Sequence, residues 1–174
     1  REKEEAVKTV KELIKEVREM VERLHRKNEE MIRTVREVVK ELNERNKELI
    51  KTVRDLRRRG TDKEDLRRII EEVLDHIRRS LEELERLAEE VLEHIKRTLE
   101  EIERLVREVL DVIKKLVDSE DARRLEREVR ELLRDVREKV ERNKEKVERL
   151  KREVRKRVRD DLERVKRLKE EVDT

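Results

Sequence analysis

The sequence predicts an all-α chain: three long, nearly straight antiparallel helices in an up-down-up bundle, standing as a monomer or assembled into a homo-oligomer. Three observations predict it. Apolar residues recur with helical spacing along almost the whole chain. Helix-favouring sequence is interrupted at only two places, Gly60 and the stretch from Asp118 to Asp121. The 174 residues contain no proline, cysteine or aromatic residue and a single glycine. Charged residues make up 58% of the chain and hydrophobic ones 33%, a balance that suggests disorder unless periodicity overrides it. Here it does.

The first helix is expected near 2–59. Arg57, Arg58 and Arg59 suit the negative end of a helix dipole, and Gly60 suits the left-handed position just beyond it. The second is expected near 62–117, opened by Thr61 with Glu64 three residues later as a capping box. The third is expected near 120–172, capped by Asp118 or Ser119 with acids in its first turn. Each is about 55 residues, or roughly 80 Å at about 1.5 Å per residue. Short turns make successive helices antiparallel neighbours within a single bundle over 1–174.

Each helix repeats every 18 residues. HRKNEEMIRTVREVVKEL (25–42) aligns with NERNKELIKTVRDL (43–56), and VLDHIRRSLEELERLAEE (73–90) with VLEHIKRTLEEIERLVRE (91–108). VERNKEKVERLKREV (140–154) aligns more loosely with VRDDLERVKRLKEEV (158–172). Eighteen residues in five turns is the period of a straight helix, whereas heptads impose a left-handed supercoil. On an ideal wheel the apolar stripes span about 140°, 160° and 80° in chain order. The two wide stripes are the ones an oligomer would cover.

Polar residues interrupt these stripes: His25, Asn28, Asn43 and Asn46, then His76, Ser80, His94 and Thr98, then Asn143 and Asp161. Antiparallel neighbours at one level have residue numbers with a constant sum. His25 with His94 shares its sum with Asn43 and His76; His94 with Asn143 shares its own with His76 and Asp161. Two levels follow, about 27 Å apart. One holds His25, Asn28, His94, Thr98 and Asn143, and the other Asn43, Asn46, His76, Ser80 and Asp161. The remaining copy is aliphatic (Val7, Val10, Val112, Leu116 and Leu125), which marks these positions as facing the core. A buried imidazole or amide without a partner is costly, so mutually satisfied networks are expected, fixing register and partner choice.

Matched long helices, 18-residue repeats, a Glu/Lys/Arg surface and His/Asn/Ser/Thr interruptions at common levels resemble the de novo designed helical bundles with buried hydrogen-bond networks. The resemblance covers the full length and implies a structural scaffold. That group includes monomers, homo-oligomers and acid-responsive assemblies; this chain departs from the His-rich members in carrying three His.

Two readings of the histidines stand side by side: neutral core residues that specify packing, or an acid switch. The switch expects His25 and His94 to be depressed by burial and by each other, with Asp161 supporting a charged His76. Haem or metal ligation by His25 and His94 is a remote third reading; no HExxH occurs, and no cofactor is expected. Catalysis is not expected, because nothing indicates an open pocket or an oxyanion hole. Nucleic-acid binding is not expected either. The segment Arg149–Arg159, with seven basic residues against Glu153 alone, reads as a solvated face beside an acidic second helix. No small-molecule substrate and, at neutral pH, no membrane surface is expected as a partner. No targeting or lipidation motif is found, which suits soluble cytoplasmic expression of a recombinant chain.

Overall fold

The computed structural model describes residues 2–117 and 119–174, and the fold is an all-α three-helix one. Helix α1 runs Glu2–Arg58, α2 Lys63–Leu116 and α3 Ser119–Asp173, of 57, 54 and 55 residues. These bounds fall within one residue of the expected ones. Among the described residues, no helix is long and apolar enough to cross a membrane.

Gly60 ends α1 by a Schellman motif. Thr61 N–H donates to the Leu56 carbonyl and Gly60 N–H to the Arg57 carbonyl, both at 3.2 Å, with Gly60 at φ +79°. This corrects the expected capping box. Thr61 is engaged in closing α1, so Asp62 takes the cap position, its carbonyl accepting from Leu66 N–H at 2.9 Å. Glu64 and Asp65 place acids in the first turn of α2. Gly60→Ala is expected to cost about 1 kcal/mol, because a Cβ at this φ is strained although no atom crowds it. A denaturation midpoint unchanged by the substitution would contradict that. The other expected caps, Asp118 and the Ser119 side chain, lie outside what the structure describes.

The chain packs as two compact units. One comprises residues 1–32 with 91–146, the other residues 33–90 with 147–174. Each takes a stretch of all three helices. In both units burial follows the 18-residue repeat. Ile14, Ile32 and Ile50 are 3–4% exposed; Val17, Val35 and Val53 are 1–8%; Ile77, Ile95 and Ile113 are 0–1%. Along α3 the buried residues, mostly Val, step by three, four or seven, which matches its narrow stripe. Three positions of the aliphatic copy depart from expectation. Val7 and Val112 are half-buried, and Leu116, the last residue of α2, is 53% exposed.

Opposite charges line the sides of the helices. In the first unit Arg18 pairs with Glu128 and Lys139 with Glu29, both at 2.9 Å. In the second, Arg155 pairs with Glu85 at 2.7 Å, Arg67 with Asp173 at 2.6 Å and Lys169 with Glu71 at 2.5 Å, and Lys151 also pairs with Glu89. Such half-exposed pairs orient helices more than they stabilise them, at about 0–1 kcal/mol each.

Candidate functional sites: two polar levels in an aliphatic interior

The first polar level lies in the first unit. Asn28, Asn143 and Thr98 are 0%, 1% and 3% exposed; His25 and His94 are half-buried. One hydrogen bond crosses between helices here: His94 Nδ1–H donates to Asn28 Oδ1 at 2.9 Å. The acceptor oxygen selects the Nδ1-protonated tautomer. Thr98 Oγ1–H donates instead to the His94 carbonyl of its own helix at 2.8 Å. His25 Nδ1, Asn28 Nδ2 and Asn143 Nδ2 are buried without a partner in the chain.

The second level lies in the second unit and repeats the chemistry without the cross-helix bond. Asn46 is 0% exposed and Asp161 4%; Asn43, His76 and Ser80 are half-buried. Ser80 Oγ–H donates to the His76 carbonyl at 2.8 Å. Asn43 Oδ1, His76 Nε2 and both amide atoms of Asn46 have no partner.

Three sequence expectations are corrected here. The levels are not closed networks: both hydroxyls bond back to the carbonyl four residues earlier, the option a helix always offers Ser and Thr. His25 and His94 do not pair. Burial lowers the pKa of each, but the cation beside His25 is Lys139, with Glu29 opposing it, whereas those beside His94 are Lys27 and Arg97. A constant residue-number sum fixes height along the axis, not the side of the helix on which a ring stands. Nor does Asp161 form an ion pair with His76. The cations that act on it are Arg157 and Arg164, one turn to either side on its own helix, and burial still raises its carboxyl above the usual range.

Asp161 therefore gives a prediction. A raised folded pKa means the native state binds the proton more tightly, so the charged carboxylate weakens the fold at neutral pH and this weakening is relieved as pH falls through the folded value. Asp161→Asn should stabilise the chain by about 1 kcal/mol at pH 7, and the gain should shrink in acid. A destabilised variant at pH 7 would show that the carboxylate has a partner.

Among the described residues no group of three or more His, Cys, Asp or Glu is placed to hold a metal. A groove of about 920 Å³ lies between α1 and α2 of the second unit, with Ser80, Val38, Leu42, Leu84 and Leu87 in its wall. Sequence reasoning gave the wide stripes but not this groove, whose rim of Glu41, Arg45, Glu48 and Glu83 looks like ordinary surface in the sequence.

These features define an all-α, three-helix protein with polar residues buried at two levels. No protein-family model matches the chain, and no curated protein matches it. Among solved structures it is similar to a computationally designed three-helix bundle, at 22% identity and a TM-score of 0.43, over 97% of this chain and 87% of that one.

Proposed function

We propose that the chain is a structural scaffold of the designed kind, without catalytic activity, whose buried polar levels set helix register and its association with further copies of itself. One observation carries this reading: Asn28, Asn46, Thr98, Asn143 and Asp161 are buried at matched repeat positions of an aliphatic interior. Such groups weaken a fold relative to Val or Leu, and their best-attested use is selecting one arrangement over its competitors. The α1–α2 groove supports self-association. It carries aliphatic side chains within a rim of mixed charge, which a two-fold copy can complement. Light scattering with size-exclusion chromatography at neutral pH tests the proposal. Wild type should elute as one defined oligomer, and Asn28→Val/Asn46→Val as a mixture of states. One identical species from both, or a wild-type monomer, would overturn it.

A second reading, an acid-triggered switch, is favoured by the lowered pKa of His25 and His94. A folded value below the unfolded one means stability is full above about pH 6.5, the unfolded value. It declines as pH falls from there and levels off below the folded value. Guanidinium denaturation at pH 7.5 and pH 5 should give a lower midpoint in acid. His25→Val/His94→Val, which copies Val7 and Val112, should flatten that difference. An equal drop in both proteins would remove the switch.

A further inference from the structure

In the second unit, the groove between α1 and α3 near their C-terminal ends encloses about 470 Å³ and is walled by Arg54, Arg57 and Arg58 of α1 and Arg164 and Arg167 of α3. Glu171 is its single acid and is already paired with Arg57. The cross-helix ion pairs elsewhere match a cation to an anion one for one: Glu71, Glu85, Glu89 and Asp173 on the α2–α3 side of this unit, Glu128 and Glu29 in the other unit. Here five guanidinium groups share one carboxylate.

The ordinary explanation for cations at a helix end covers part of this. Arg57 and Arg58 sit in the last turn of α1, where the dipole favours them. It does not cover α3, whose last turn contains no basic residue; Arg164 and Arg167 stand earlier, on the wall of the groove. Arg54, Arg58, Arg164 and Arg167 form no ion pair among the described residues. Arg164 also lies in the field of Asp161, which is buried, so its charge offsets part of one guanidinium from the interior side.

We propose that this arginine-walled groove between α1 and α3 is a binding site for a compact oligophosphate. Guanidinium offers a planar fork that matches two phosphate oxygens at once. Arg54 and Arg58 lie one helical turn apart, about 6 Å along the axis, as do, nearly, Arg164 and Arg167. Two facing rows of forks fit a ligand with several anionic centres in succession better than a single phosphate. Binding would also relieve the repulsion between the two walls, which water and salt only screen.

The test is titration calorimetry of the full chain with sodium tripolyphosphate in low salt. Saturable binding of one ligand per chain is expected, weakening as salt rises to about 0.5 M, where screening is short-ranged. Arg164→Gln/Arg167→Gln should weaken it about tenfold or more through lost charge-assisted bonds. Arg33→Gln/Arg36→Gln removes the same net charge from exposed positions outside the groove and should change it less than about twofold. Arginine side-chain NMR signals of the wild type provide a second readout, independent of any variant's folding: those of the five groove residues should shift together. No binding, equal loss in both variants, or shifts spread over all arginines would overturn the proposal. So would tighter, groove-dependent binding of duplex DNA or phosphatidylserine vesicles, which would assign a macromolecular surface in place of a compact ligand.

Discussion

Asn46→Val is expected to make the chain more stable by about 2 kcal/mol, an unusual direction for a core substitution. Asn46 is 0% exposed, and neither its amide oxygen nor its amide nitrogen has a partner. Each such group costs about 1–3 kcal/mol of desolvation that no bond offsets. Val10, one copy of the repeat away from Asn28 and two from Asn46, is also 0% exposed, so this backbone position accepts the side chain. The slightly lower helix propensity of Val subtracts only a few tenths of a kcal/mol. Asn28→Val should gain far less, because Asn28 Oδ1 accepts from His94 and its removal leaves that N–H alone. Urea denaturation at matched protein concentration checks the pair: the midpoint should rise with Asn46→Val at unchanged slope. A fall of 1 kcal/mol or more would show that the Asn46 amide is bonded.

Ile95→Ala is expected to act in the opposite sense and more strongly, destabilising by about 3 kcal/mol. Ile95 is 1% exposed, so truncation removes buried methyl and methylene groups and leaves a cavity that flanking Val and Leu fill only in part. Ile77 occupies the same repeat position at 0% exposure. Ile77→Ala should therefore cost the same to within about 1 kcal/mol. Unequal costs would show that the two copies relax differently despite equal burial.

Much of the fold was legible because it rests on features that one dimension carries. Gly60 is the single residue suited to a left-handed C′, so α1 stops there. The 18-residue repeat names the buried positions, and the burial of Asn28, Asn46, Thr98, Asn143 and Asp161 follows from their copies being Val or Leu. What could not be read depends on a second coordinate. His25 and His94 share a height, but the ring of one stands by Lys139 and that of the other by Asn28 and Lys27. His76 and Asn46 repeat the His94 and Asn28 pair residue for residue, yet only the latter is bonded, since rotamers answer to neighbours that the repeat does not copy. Thr61 was misread because a local cap signal competed with the end of the preceding helix. The arginine groove was hidden because Arg57 and Arg58 already had a sufficient explanation on their own helix.

The aliphatic copy of the repeat has a consequence of its own. A ruler whose divisions are all alike cannot tell its reader where zero lies. Three identical divisions of Ile and Val would let one rod slide past another by a whole division and find equally good seating. On the proposed reading, leaving Val7, Val10, Val112 and Leu125 blank while marking the other two divisions with amides and imidazoles gives that scale an origin. A displaced rod would then set a mark against a blank.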